Sequence, residues 1–164
     1  MTRAPRAAAK VLTVSDGVAN GTRDDASGRA LVERLTAAGY EVDAHRVSPD
    51  GTAEVAAALA ELADGFTGLI VTTGGTGFGP RDLTPEGTRS VLYREAPGVA
   101  EAIRRASDAG GRGFGMLSRG VAGTRDRALI CNLPGSSSGA LEGLEILLTI
   151  APHALELLAG GHPH

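Results

Sequence analysis

The apolar run Gly68 to Thr72 leads without a break into Thr73-Gly74-Gly75-Thr76-Gly77-Phe78-Gly79. Leu69, Ile70 and Val71 read as the centre of a short buried strand. Four of the six residues from 74 to 79 are glycine, and ordering such a segment costs more backbone entropy than any other composition. One return on that cost is anion binding. Without side chains, successive backbone N–H groups can turn inward around a phosphate, and the Thr73 and Thr76 hydroxyls can add donors. The alternative is a tight strand-to-helix connection with no ligand. The loop is not a P-loop, because no Gly-Lys-Ser/Thr follows it. Nor is it a dinucleotide fingerprint, whose glycines follow the first strand and whose ribose acid has no counterpart here.

Asp82 lies five residues beyond Gly77. A carboxylate beside bound phosphate is repelled unless a cation lies between them, so Asp82 implies Mg²⁺ bridging to phosphate oxygens. The bland reading is a helix cap, or an ion pair with Arg81. Asp50, after the second expected strand, is a second metal candidate with helix capping as the alternative, and Asp16 is a third. Asp24 and Asp25 read as cap acids. Arg119 could pair with phosphate. Cys131 reads as a buried inert thiol. No Gly-x-Ser-x-Gly elbow is present and Ser136 has no evident base, which argues against a serine hydrolase. A terminal pair, His162 and His164, reads as incidental for metal.

The pattern around the loop sets the fold class. Strands are expected at Val11 to Ser15, Tyr40 to Val47, Gly68 to Thr72 and Ala128 to Asn132. Helices are expected at Asp25 to Ala38, Thr52 to Ala63, from Thr84 (N-cap, with Pro85 at N1) to near Tyr93, from Pro97 to Gly110-Gly111, and over Leu141 to Leu158 with a break or restart at Pro152. A short helix or turn is expected around Met116 to Arg119, and Ser137 or Ser138 as the last helix's cap. Helices alternating with buried strands give a doubly wound, mostly parallel α/β sheet covered on both faces. Ligands of such sheets bind beyond the carboxyl ends of the strands. That rim holds Ser15-Asp16, Thr73 to Asp82, and the Asn132 to Ser136 turn.

With 164 residues, the chain is expected to form one domain over 10–160, with a disordered lead at 1–9 and a tail at 161–164. A formal net charge of -3 argues against a duplex nucleic-acid binder, and five aromatic residues argue against a single-strand stacking platform. A single cysteine excludes an intramolecular disulfide. No apolar run approaches membrane-spanning length. These features fit a soluble cytoplasmic protein.

Six segments in order make the chain similar to a known family. They are Val14-Ser15-Asp16, Asp25-x-Ser27-Gly28, Thr73-Gly74-Gly75-Thr76-Gly77, Arg81-Asp82-x-Thr84-Pro85-Glu86, Met116-Leu117-Ser118-Arg119-Gly120-x-Ala122-Gly123, and Asn132-Leu133-Pro134-Gly135-Ser136. Together they resemble the MogA/MoaB family of molybdenum-cofactor biosynthesis, which contains molybdopterin adenylyltransferases. The resemblance runs from about Lys10 to Gly160. It implies transfer of AMP from Mg-ATP to the terminal phosphate of molybdopterin, with release of pyrophosphate. It also implies a homotrimer, or a hexamer made of trimers, and a molybdenum-insertion partner of the MoeA type. Phosphate and pterin binding then falls on Gly74, Gly75, Thr76 and Gly77, the essential acid on Asp82, a second acid on Asp50, and the Leu-Pro-Gly-Ser turn on Leu133, Pro134, Gly135 and Ser136. Ser15, Asp16, Thr73, Ser118 and Arg119 complete the expected contacts. A non-catalytic molybdopterin-binding or scaffold protein of the MoaB kind is the alternative. The chain departs from the family by Gly17 after Asp16, where many members carry Thr or Ser, and by Gly87, where alanine is common.

Overall fold

A computed structural model describes residues 6–108, 111 and 113–162. Residues 1–5 of the expected lead, Gly110, Pro163 and His164 lie outside them. The elements in order are β1 (Ala8–Val14), α1 (Asp16–Ala19), α2 (Ala26–Ala37), β2 (Glu41–Ser48), α3 (Thr52–Ala63), β3 (Gly68–Thr73), α4 (Thr84–Val91), β4 (Arg94–Glu95), α5 (Pro97–Ser107), a 3₁₀ turn (Phe114–Leu117), β5 (Ala122–Arg125), β6 (Ala128–Leu133) and α6 (Ser137–Leu158). β1 begins three residues before the expected Val11 and takes in Ala8 and Ala9, assigned above to the lead.

Six strands form one sheet in the order β2-β1-β3-β6-β5-β4. β2, β1, β3 and β6 run parallel, whereas β5 is antiparallel to both its neighbours. Alternate side chains of the central strands feed two cores, as a sheet covered on both faces requires. Val11, Leu69, Val71, Leu129 and Cys131 pack with Leu31 and Leu35 of α2, Ile103 of α5 and Leu144 and Leu147 of α6. Leu12, Val14, Ile70 and Ile130 pack on the opposite face with Val55, Leu59 and Leu62 of α3 and Val91 of α4. Each fully buried side chain of this size contributes roughly 1.5–3 kcal/mol. β1 is flanked by β2 on one side and β3 on the other, so the winding reverses between β1 and β3. A crevice opens beyond the carboxyl ends at such a reversal.

The structure corrects several local expectations. α4 starts at Thr84, but Thr84 does not cap it; Leu83 precedes the helix and makes no side-chain cap bond. The Thr84 hydroxyl donates instead to the Gly74 carbonyl at 2.9 Å, and its N–H to the Gly75 carbonyl at 3.1 Å. Thr84 therefore fastens the helix to the glycine loop. Ser136, not Ser137 or Ser138, caps α6, accepting from the Gly139 N–H at 3.1 Å. Pro152 neither breaks nor restarts α6, which runs 22 residues through it. Leu147, Ala151 and Leu155, all buried on one side, hold the helix against the sheet across the missing hydrogen bond. The segment Asp16 to Thr22, expected as loop, opens with the single turn α1, capped by Ser15 accepting from the Val18 N–H. The ambiguous glycine-rich stretch yields β5. Gly123 sits where a Cβ would lie 2.2 Å from the Arg94 carbonyl, so only glycine permits the β4–β5 pairing.

Candidate active site

A cavity of about 440 Å³ occupies the crevice. β1 contributes Thr13 and, just past its end, Ser15; β3 and the loop contribute Thr73, Gly74 and Gly75. Gly135, Ser136 and Ser137 come from the β6–α6 turn, Arg23, Asp24, Asp25 and Ser27 from the approach to α2, and Asp50 and Asp82 from the turns after β2 and the glycine loop. The structure thus gathers Ser15, Thr73, Gly74, Gly75, Gly135, Ser136, Asp50 and Asp82 around one space. Thr76, Gly77 and Pro134 face an adjoining cavity of about 220 Å³, which Ser118 and the exposed side chains of Phe114 and Leu117 also line. The Leu133 side chain is buried in the core and faces neither.

Backbone geometry explains the glycines nearest the strand end. Gly74 and Gly75 have φ of 100° and 68°, values L side chains rarely adopt. A Cβ on Gly74 would lie 2.3 Å from the Val14 carbonyl. On Gly75 it would lie 2.2 Å from the Thr84 hydroxyl and 3.2 Å from Asp50 Oδ1, and on Gly77 3.0 Å from Asp82 Oδ2. The missing side chains leave room beside both carboxylates.

The acids divide by their partners. Asp16 is bound by Arg81, Nε to Oδ2 at 2.6 Å and a second guanidinium bond at 3.2 Å, and that guanidinium holds its carboxyl below the usual range. Arg81 therefore belongs to Asp16 and not to Asp82. Asp16 and Asp50 also exchange bonds: the Asp16 N–H donates to Asp50 Oδ2 at 2.8 Å, and the Asp50 N–H donates to Asp16 Oδ1 at 3.1 Å. Asp16 orients Asp50 from outside the cavity. Burial, and then the like charges of Asp16 and Asp82, raise the Asp50 carboxyl above its ordinary value, against the opposing Asp16 amide and Arg81. Asp82 accepts from the Gly79 N–H at 2.9 Å, closing the loop on itself.

Arg119 lies behind the loop, not in the main cavity. It donates to the Gly77 carbonyl at 2.8 Å and the Asp82 carbonyl at 2.5 Å, and it pairs with Glu86. Its own N–H donates to the Thr76 carbonyl at 2.9 Å. The guanidinium braces the Gly77–Asp82 segment and has little capacity left for a phosphate. Below it, Asn132 is buried and satisfied, donating to Thr72 and Thr88 at 3.0 and 2.9 Å and accepting from the Val121 N–H. Thr13, Arg23 and Ser27 also line the cavity, and the sequence does not mark them as site residues. A hydroxyl at the end of an apolar strand was the available signal for Thr13; Arg23 carried none.

The donor set suits a hard divalent cation. Mg²⁺ is commonly held by one or two carboxylates with substrate phosphates and waters. Asp50 and Asp82 supply that minimum, with space beside each and mutual repulsion that a cation relieves. Among the described residues no group of three or more His, Cys, Asp or Glu is placed to hold a metal by protein ligands alone.

Residues 10–153 match the family described as "Probable molybdopterin binding domain". The chain belongs to that family. It is 34% identical to the molybdopterin adenylyltransferase of Helicobacter pylori over 157 residues, covering 93% of this chain and 88% of that protein. It is 41% identical over 160 residues to the molybdenum cofactor biosynthesis bifunctional protein of Chlorobaculum tepidum, covering 96% of this chain and 50% of the relative. The chain thus spans about half the length of that relative, and 22% of the length of the gephyrin of Dictyostelium discoideum. Among solved structures, the molybdopterin biosynthesis enzyme MoaB of Thermus thermophilus superposes with a TM-score of 0.85 at 46% identity, covering 94% of this chain and 97% of that one. Family membership and the six-stranded, mostly parallel sheet agree with the resemblance drawn from the motifs.

Proposed function

We propose that this family member is a molybdopterin adenylyltransferase, transferring AMP from Mg-ATP to the terminal phosphate of molybdopterin and releasing pyrophosphate. The observation that carries the reading is the convergence of Gly74-Gly75, Asp50 and Asp82 on one cavity at the winding reversal. The name of the Helicobacter relative, aligned over nearly its whole length, supports it.

An oxygen of the pterin phosphate forms a bond to the α-phosphorus of ATP. The bond from that phosphorus to the oxygen bridging the α- and β-phosphates breaks, and pyrophosphate leaves with the electron pair. The nucleophile is a phosphate monoester, already anionic at neutral pH because its second pKa is about 6. No general base is required, so the work is positioning and electrostatic stabilisation. The Gly75 N–H is the loop donor nearest the strand end for a phosphate, since the Gly74 N–H is directed to the Leu133 carbonyl at 3.4 Å, while Thr73 is held by donating to the Pro134 carbonyl at 2.7 Å. Asp50 and Asp82 would hold Mg²⁺, which when bound neutralises phosphate charge. Arg119, Thr84 and Asp16 keep the loop and Asp50 in place.

The proposal extends to the rest of the expected setting: a cytoplasmic homotrimer, or a hexamer of trimers, that hands its product to a molybdenum-insertion enzyme of the MoeA type. Phe114 and Met116, 65% and 74% exposed, supply apolar surface for such contacts. Among the described residues no helix is long and apolar enough to cross a membrane. The test is incubation of the full chain with Mg-ATP and purified molybdopterin. Stoichiometric pyrophosphate and an adenylylated pterin are expected, and their absence under conditions that support the Helicobacter enzyme rejects the reading.

A further inference from the structure

Four carboxylates line the main cavity, Asp24, Asp25, Asp50 and Asp82, and Arg23 is the cationic side chain among its lining residues. An arginine beside two sequence-adjacent aspartates would ordinarily be expected to pair with them. Here both are committed elsewhere. Asp24 forms a two-bond pair with Arg29, at 2.6 and 2.7 Å. Asp25 caps α2 through the Gly28 N–H at 3.0 Å and is further held by the Thr13 hydroxyl at 2.9 Å and by His45 Nε2 at 2.9 Å. Asp16, the next acid towards the chain's start, is taken by Arg81. The acids that could neutralise Arg23 from its own loop are thereby occupied.

The stem of Arg23 is seated as well. It lies across Gly17 in α1. A Cβ on Gly17 would come 3.0 Å from the Arg23 Cβ and 3.5 Å from its Cδ. Gly17 is not among the glycines with positive φ, so the backbone does not demand glycine there. The arginine stem is the nearest atom group a side chain would meet. The Arg23 N–H donates to the Gly17 carbonyl at 3.0 Å, which fixes the two positions relative to each other. Thus Gly17, noted above as a departure from the family's pattern, is paired with a cation at the cavity wall.

We propose that Arg23 is a substrate-binding arm of the main cavity, which Gly17 makes room for, and that it pairs with a phosphate group of the bound substrate. A guanidinium suits phosphate by offering a planar fork of N–H donors. It also supplies the positive charge that the glycine loop, with no lysine, does not. Which phosphate it meets rests on the adenylyltransferase reading: the β- and γ-phosphates of the nucleotide, or the phosphate of the pterin. The anion contact itself does not depend on that reading.

The experiment is calorimetric titration of the full chain with ATP, AMP, inorganic tripolyphosphate and molybdopterin. Wild type is compared with Arg23→Ala, Arg23→Lys, Gly17→Thr and the double variant Gly17→Thr/Arg23→Ala. If Arg23 meets the nucleotide's outer phosphates, Arg23→Ala weakens ATP and tripolyphosphate about tenfold, the size of one charge-assisted hydrogen bond at a half-open site, and leaves AMP nearly unchanged. If it meets the pterin phosphate, only molybdopterin weakens. In either case Arg23→Lys recovers part of the loss, and Gly17→Thr reproduces part of it. In the double variant Gly17→Thr adds nothing further, as expected for coupled sites. Wild-type affinity of Arg23→Ala for all four ligands overturns the proposal. Full affinity in Gly17→Thr overturns the seating role of Gly17. Wild-type protein that binds tripolyphosphate through Arg23 yet produces no adenylylated pterin rejects the function proposed above and leaves this inference standing.

Discussion

The glycine loop has two sides that are built differently. Behind it, charges and polar groups are matched: Arg119 meets Glu86 and two carbonyls, and Asn132 satisfies both its amide hydrogens and its oxygen. In front, Asp50 and Asp82 face a cavity of about 440 Å³ with no cationic side chain of the described residues bound between them, and burial, with the charges of Asp16 and Asp82 adding to it, raises the Asp50 carboxyl. A matched network stabilises the fold; an unmatched one leaves charge available for a ligand. Substitutions behind the loop should therefore cost stability first, and those in front should cost activity while leaving the fold intact or firmer.

Asn132→Leu should have the largest effect on stability. It strands the Val121 N–H and removes the link to Thr72 and Thr88 in a fully buried place, a loss of about 3 kcal/mol. Urea unfolding measures it, and an unchanged midpoint contradicts the view that the back of the loop is a stability element. Arg119→Lys should be milder for the fold, about 1–2 kcal/mol, because Arg119 and Glu86 are each about a third exposed and solvent screens their pairing. Its effect on turnover should be larger, roughly 10- to 100-fold in kcat, since a lysine cannot span the Gly77 and Asp82 carbonyls together and the loop loses its brace.

Asp50→Asn reverses the sign. The folded-state pKa of Asp50 is raised, so the folded protein favours its neutral form. That contribution to stability is present below the unfolded value and is lost as pH rises through the folded one. At neutral pH the wild-type charge is therefore a cost, and Asp50→Asn should melt higher than wild type, as thermal unfolding at pH 7 measures. The difference should shrink as pH falls through the folded value and fade out well below the unfolded one of about 4, where the carboxyl is protonated in both the folded and unfolded states. Mg²⁺ should narrow the gap by stabilising wild type more than the variant. A lower Tm for the variant at pH 7 would falsify the assignment of Asp50 to an unmatched front.

Much of the front was legible in the sequence because its signals are local. The glycine run directly follows its strand, Asp82 sits a few residues on, and the turn after β6 carries its own Pro-Gly. The back was not legible. Arg119 reads as a phosphate ligand until its partners, 33 to 42 residues away, are known. Arg81 pairs with Asp16 across 65 residues and not with its neighbour Asp82. Thr84 carries the residues of an N-cap, yet the nearer acceptor is the Gly74 carbonyl. β4 and β5 have two and four residues, too few for alternation to show. Pro152 marks a helix break locally, and only the packing of α6 overrides it.

In the proposed function Asp82 acts on the ligand and not on the fold. Pyrophosphate release from Mg-ATP and molybdopterin should be measured for wild type and Asp82→Ala beside their unfolding midpoints. Asp82→Ala is expected to lose turnover by about a thousandfold or more, the scale of removing an electrostatic stabiliser of the transition state, with a midpoint close to wild type. Near-normal turnover by Asp82→Ala would contradict that role.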